Sequence, residues 1–145
     1  MRNPPTSLTL HRKHWDQILA DLGSRKTEEA CGLIAGLSGV AEEVIPVSNQ
    51  YHSLERYRMD PSEQLKAFER IEQQDWQLLA IYHSHPKGPS FPSATDIAEA
   101  AYPGIINLII SPNQRGWIYR GFLIEGKQVT EVPISIIDDD TTTSL

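Results

Sequence analysis

A short apolar run at residues 78–81 leads directly into two histidines, and this stretch constrains the fold more than any other. Such a run, followed closely by turn-forming residues, predicts a buried strand. Side chains two residues apart on a strand point to the same face, so His83 and His85 are expected side by side. Pro86 favours extended backbone at His85 and keeps that residue on the strand. The sequence therefore predicts a central strand that presents two imidazoles at its carboxyl end.

The patterns on either side of this strand predict one α/β (α+β) domain, with a mixed sheet flanked by helices. Apolar or alternating runs predict strands at 8–10, 30–37, 40–47, 78–83, 105–111, 117–123 and 129–136, with a short strand at 56–59. An amphipathic stripe predicts a first helix that buries Trp15, Ile18, Leu19 and Leu22 and ends at Gly23. A second helix starts at Asp60-Pro61-Ser62-Glu63 and is expected to bury Leu65, Phe68 and Ile71. No repeat or linker interrupts the pattern, so we expect a domain over residues 1–137 and a disordered tail at 138–145.

Charge and cysteine content narrow the class of partner. The net charge is −6 and no dense Lys/Arg run occurs, which argues against nucleic acid as the main partner. Cys31 is the single cysteine, so a disulfide framework and any zinc site with two thiolates from one chain are excluded. No signal-peptide core and no stretch of ~20 apolar residues is present, which predicts no membrane span and a cytoplasmic location.

The segment Ser93-Ala94-Thr95-Asp96 allows two interpretations. It has the form of a capping box, with Ser93 at the N-cap and Asp96 at N3 of a helix expected to run to residue 101. Equally, the Asp96 carboxylate could join His83 and His85 as a third metal ligand, leaving one position for water. Residue types and spacing alone leave both interpretations open.

The joint pattern His83, His85, Pro86, Ser93 and Asp96 resembles the His-x-His-Pro-x6-Ser-x2-Asp signature of the JAMM (MPN+, Mov34/PAD-1) metalloproteases. That family also has a glutamate three residues before a glycine in an apolar strand. Glu29 precedes Gly32 by three residues and matches this position, whereas Glu28 is one residue out of phase. The segment Arg56-Tyr57-Arg58-Met59-Asp60-Pro61 is also similar, and the resemblance extends from about residue 8 to residue 136.

The resemblance implies a zinc-dependent peptidase or isopeptidase. His83, His85 and Asp96 would bind catalytic Zn²⁺, and Glu29 would act as general base and then acid. Ser93 would donate a hydrogen bond to the oxyanion. The implied substrate is a ubiquitin-like, sulfur-carrier-type protein cut after its Gly-Gly tail.

Two alternatives to a peptidase remain open. One is a RadC-like protein associated with DNA repair, although about 30 residues before the first central strand leave little room for its usual N-terminal region. The other is a non-catalytic MPN scaffold, whose members usually lack a metal ligand. A deaminase-type zinc site is excluded because it needs a second cysteine. Cys31 is expected to be a buried small side chain, and the remaining histidines are expected to face solvent: His11, His14 and His52.

Overall fold

The computed structural model describes residues 7–138, which form one eight-stranded sheet and three helices. The first half comprises β1 (Leu8–His11), α1 (Arg12–Ser24), β2 (Cys31–Leu37), β3 (Val40–Val47) and α2 (Pro61–Gln73). The second half comprises β4 (Gln77–Ser84), α3 (Ala94–Ala98), β5 (Ile106–Asn113), β6 (Gly116–Glu125), β7 (Gln128–Val132) and β8 (Ile134–Ile137). The predicted tail at 138–145 lies outside the described residues except for Asp138.

The sheet is mixed, with the strand order β7-β6-β5-β4-β2-β3-β1-β8. Strand β4 lies near the centre, antiparallel to β2 and parallel to β5. The two edge strands, β7 and β8, are separated in sequence only by Pro133. The sheet must therefore curl until its edges approach each other, and Gly121 of β6 packs directly against Ile134 of β8. The predicted mixed sheet with flanking helices is confirmed.

Each face of the sheet carries its own core. Helix α1 covers one face, where Ile18 packs in a cluster with Ala80 and Tyr82 of β4. Helix α2 covers the other face, where Ile71 packs in a cluster with Ile81. Because side chains alternate along β4, His83 lies on the same face as Ile81, the face that α2 covers.

The start of α2 follows the prediction, but one buried position does not. The Asp60 carboxylate accepts a hydrogen bond from the Glu63 N–H at 3.0 Å, with Pro61 in the first turn. Ile71 is buried and Phe68 partly buried, whereas Leu65 is 59% exposed. The prediction for Leu65 is wrong because the narrow contact with the sheet leaves this side chain on the outer side of the helix.

Three predicted elements differ in extent. Helix α3 ends at Ala98 instead of residue 101, with Glu99 as its C-cap. The segment at 56–59 makes only an isolated bridge, between Asn49 and Met59. The single strand predicted at 129–136 is broken at Pro133, which has no N–H for a sheet ladder, so its two halves join opposite edges. Among the described residues, no helix is long and apolar enough to cross a membrane.

Candidate active site

The carboxyl end of β4 and the start of α3 bring three side chains together at one point. The Nε2 atoms of His83 and His85 lie 3.0 Å apart. Oδ2 of Asp96 lies 3.2 Å from Nε2 of His83 and 3.0 Å from Nε2 of His85. Both histidines are buried, and the Asp96 side chain is 11% exposed.

The two histidines are oriented in different ways. Nδ1 of His85 lies 2.8 Å from the carbonyl oxygen of Pro89, so it carries the proton and donates it to that carbonyl. In the neutral ring, its Nε2 therefore presents a lone pair. Nδ1 of His83 is buried and has no hydrogen-bond partner among residues 7–138. The ring of Tyr57 instead stacks on His83, with 4.6 Å between ring centroids.

Asp96 and Ser93 form the predicted capping box at the start of α3. The Asp96 N–H donates to Oγ of Ser93 at 3.0 Å, and the Ser93 N–H donates to Oδ2 of Asp96 at 2.9 Å. Oδ2 is the same oxygen that faces both histidines. The cap therefore fixes the oxygen that the histidines surround. The capping interpretation is confirmed, and the metal-ligand interpretation is compatible with it.

Glu29 lies immediately before β2, where that strand pairs with β4. The Ala30 N–H donates to Oγ of Ser84 and the Ser84 N–H donates to the Ala30 carbonyl, both at 2.9 Å. A carboxylate oxygen of Glu29 and one ring nitrogen of each histidine all lie within 4.8 Å of one another. Glu29 is 4% exposed, and its Oε1 has no hydrogen-bond partner among residues 7–138.

The neighbouring carboxylate of Glu28 points elsewhere. Its Oε1 lies 2.6 Å from Nδ1 of His52, and its Oε2 lies 3.6 Å from Arg25. The two adjacent side chains thus point to different places, and of the two only Glu29 reaches the histidines.

Burial and mutual contact shift the pKa of each group in the cluster. Burial raises the pKa of Glu29 to about 8, opposed by the nearby His85. Burial lowers the pKa of His83. Burial also acts against charge on His85, but its bonds with Asp96 and Pro89 raise the pKa of His85 above the usual value. Burial alone would raise the pKa of Asp96, yet the hydrogen bonds with both histidines hold it well below its ordinary value.

The donor set fits a divalent metal ion. When the His85 ring is neutral with its proton on Nδ1, its Nε2 lone pair and the Asp96 carboxylate both face one point. A divalent cation can then occupy that point in place of a proton. Three atoms bound tetrahedrally at ~2.0–2.1 Å stand about 3.3 Å apart. The observed separations of 3.0 and 3.2 Å are close to that spacing.

A cleft of about 500 Å³ opens beside Asp96. One wall is the segment 51–59, and the other is the segment 99–105 together with Gln64 of α2. Arg56 and Glu99 face each other across it at 3.8 Å. The cleft is large enough for a short extended peptide beside Asp96.

The curled mixed sheet and the histidine–carboxylate cluster beside a buried glutamate define a metal-dependent hydrolase of the JAB/MPN (JAMM) class. The sequence model of the family described as prokaryotic homologs of the JAB domain matches residues 11–122. The chain belongs to this family.

Individual relatives agree with this assignment. The chain is 34% identical to the CysO-cysteine peptidase of Mycobacterium tuberculosis, over 77% of this chain and 78% of the relative. It is 30% identical to the desampylase of Pyrococcus furiosus, over 86% of this chain and 87% of the relative. A solution structure of a protein from Desulfitobacterium hafniense superimposes with a TM-score of 0.82 at 34% identity, over 91% of this chain and 94% of the other.

Sequence reasoning missed several residues around the cluster. Asn49, Tyr57 and Pro89 contact the backbone or rings of the site residues, yet each lies in an irregular segment. His14, expected to face solvent, is 2% exposed, and its ring bonds to the His11 N–H and the Glu42 carbonyl. Cys31 is fully buried, as expected, and its thiol donates to the Val47 carbonyl at 3.3 Å.

Proposed function

We propose that this chain is a zinc-dependent peptidase that cuts the amide bond following the C-terminal Gly-Gly tail of a ubiquitin-like, sulfur-carrier-type protein. The observation that carries the proposal is the convergence of His83, His85 and Asp96 on one point beside the Glu29 carboxylate. Two nitrogens and one oxygen make a donor set well suited to zinc.

The substrate class is supported by the relatives. Two relatives match this chain over more than three quarters of their own length. One is a CysO-cysteine peptidase and the other a desampylase. The cleft beside Asp96 can hold an extended tail, which a ubiquitin-like protein would supply. We place the reaction in the cytoplasm, where a lone buried thiol such as Cys31 is typical.

Each side chain then has a distinct role. A bound zinc ion would polarise the scissile carbonyl and lower the pKa of the attacking water. His83, His85 and Asp96 hold that ion. Glu29 accepts a proton from the attacking water and returns it to the leaving amine, a role that its unbonded Oε1 permits.

Ser93 is suited to stabilise the oxyanion. Its Oγ accepts the Asp96 N–H, which uses one lone pair and leaves the hydroxyl proton available to donate. Because the cap fixes Ser93 beside Asp96, that donor is held next to the point where the carbonyl oxygen develops charge.

The decisive experiment compares Glu29→Gln with Glu28→Gln in zinc-loaded protein. The substrates are Gly-Gly-tailed ubiquitin-fold proteins that carry different C-terminal extensions, with products identified by mass spectrometry. We expect Glu29→Gln to keep its zinc and lose about 10²–10⁴-fold in rate. Glu28→Gln, whose side chain points to His52 and Arg25, should stay within about threefold of wild type.

Two outcomes would contradict the proposal. Cleavage by Glu29→Gln at the wild-type rate would mean that the base is misassigned. Failure of the zinc-loaded wild type to cut any member of the panel would exclude the proposed substrate class.

A further inference from the structure

The ring of Tyr57 and the imidazole of His83 form a stacked pair at the metal site. Their centroids lie 4.6 Å apart and the ring planes differ by 29°. Tyr57 also packs against the buried cluster beneath α2. It is therefore wedged between the core and one face of His83.

His83 lacks the contact that commonly orients a metal-bound histidine. Such a histidine usually donates its second ring N–H to a carbonyl or carboxylate, which fixes the ring plane. His85 follows this rule through the Pro89 carbonyl at 2.8 Å. Nδ1 of His83 has no such partner among residues 7–138, although it is buried.

The ring plane matters because the Nε2 lone pair lies in it. Rotation about the bond that joins the imidazole to its Cβ is intrinsically broad, since that torsion lacks three sharp staggered wells. Without a bond at Nδ1, this rotation is restricted by the contact of Nε2 with Asp96 and by packing against the ring faces. Tyr57 supplies a flat surface on one face.

Tyr57 is itself held firmly at the backbone. The Asn49 side chain donates to the carbonyl of Arg56 at 3.2 Å and accepts from the N–H of Arg58 at 3.1 Å. One buried amide thus fixes the residues on both sides of Tyr57. The stacked ring is presented by an anchored segment and not by a free loop.

We propose that Tyr57 is a positioning residue for the metal site, whose stacked ring sets the plane of His83 in place of a hydrogen bond at Nδ1. The inference rests on the proposed zinc site and adds a residue to it. The aromatic face performs the task, so the Tyr57 hydroxyl is dispensable.

The test measures zinc affinity by competition with a chromophoric chelator in Tyr57→Phe, Tyr57→Leu and Tyr57→Met. Loss of an orienting contact around a metal ligand typically costs 10–100-fold in affinity, so the Leu and Met variants should weaken binding by about tenfold or more. The Phe variant keeps the flat face and should stay within about threefold of wild type. Absorption spectra of the Co²⁺-loaded proteins should change in the Leu and Met variants alone, because they report ligand orientation.

Tyr119→Leu is the matched control. Tyr119 is a partly buried tyrosine that packs edge-on against Trp15 at 5.1 Å, in the core on the α1 side of the sheet. Its truncation also removes an aromatic pair, so it should lower thermal stability without changing zinc affinity or the Co²⁺ spectrum.

Each outcome decides one question. If wild type does not bind zinc, the proposed function fails. If wild type binds and Tyr57→Leu binds equally well, only the role of Tyr57 is refuted. A tenfold loss in Tyr57→Phe would also refute it, because the flat aromatic face is kept there. Tyr57→Met keeps a long apolar side chain against the buried cluster, so it decides the matter if Tyr57→Leu does not fold.

Discussion

Truncation of Asn49 to alanine should be among the most damaging single changes outside the proposed catalytic residues. Asn49 is fully buried. Its Nδ2 donates to the carbonyls of Glu29 at 3.0 Å and Arg56 at 3.2 Å. Its Oδ1 accepts from the N–H groups of Tyr51 at 3.0 Å and Arg58 at 3.1 Å. One side chain thus joins the backbone of Glu29 to the wall of the cleft.

The magnitude follows from what these four backbone groups lose. A fifth, the Ser53 carbonyl at 3.5 Å from Nδ2, keeps its hydrogen bond from the Glu29 N–H and adds little. The Glu29 carbonyl is buried, and leaving it without a donor costs about 1–3 kcal/mol. The other three groups are partly buried and can recover some hydration, so each contributes about 0.5–1.5 kcal/mol. Asn49→Ala should therefore lower the free energy of unfolding by about 2.5–7.5 kcal/mol, a large share of the usual 5–15 kcal/mol.

Urea denaturation of the metal-free proteins measures this directly. With a slope of about 2 kcal/mol/M, the midpoint should fall by about 1.3–3.8 M. Asn107→Ala is the matched control, because that amide makes a single long bond, to the Ile105 carbonyl at 3.4 Å. A loss below about 1 kcal/mol in Asn49→Ala, or one equal to that of Asn107→Ala, would refute the assigned role.

Two further predictions concern strand β2. Gly32 lies opposite Tyr82 across the sheet, and a Cβ there would overlap the tyrosine ring, which is held by a 2.6 Å hydrogen bond to Asp21. Gly32→Ala should therefore lower stability by about 1–3 kcal/mol in thermal or urea unfolding, and an unchanged stability would show that the ring yields freely. Cys31 is fully buried and burial raises its thiol pKa to about 12, so the reactive thiolate is scarce at any pH below that value. Iodoacetamide should leave Cys31 unmodified in folded protein at pH 8 and alkylate it in denaturant, whereas stoichiometric labelling of the folded protein would contradict this burial.

The part of the site that lies close together in sequence was predictable from spacing. A spacing of two residues along a strand places His83 and His85 on one face. In the structure His83 lies in β4 and His85 directly follows it. A spacing of three residues at the start of a helix places Asp96 beside Ser93, and both capping hydrogen bonds form. Local periodicity determines these relations, so no tertiary information was needed.

The position of Glu29 depends on strand pairing instead. Residue types alone could not choose between Glu29 and Glu28, and only the family signature favoured Glu29. The pairing register of β2 with β4, in which Cys31 lies opposite His83, determines which glutamate lies beside the histidines. That register directs Glu29 toward the histidines and Glu28 toward Arg25.

The errors in the fold share a physical origin. Leu65 is exposed although the helical stripe predicts it buried, because periodicity does not show how widely the sheet contacts a helix. His14 is buried although a histidine outside the site motif is expected to face solvent, because its ring bonds to backbone groups of His11 and Glu42. The strand predicted at 129–136 alternates acceptably, but Pro133 breaks the ladder and lets the chain reach the opposite edge. Burial and edge placement are properties of the assembled sheet, which local patterns do not contain.

The capping and proposed metal-binding roles of α3 are compatible because they use different bonding capacity. Oδ2 of Asp96 accepts one N–H from Ser93 at 2.9 Å and keeps a further lone pair for the point between the histidines. Oγ of Ser93 accepts one N–H and keeps its proton. A free carboxylate on a loop would lose side-chain entropy on binding an ion, whereas this one is already fixed by the helix start. The cap therefore preorganises the site, and a helix of five residues suffices because its first turn is the part that the site needs.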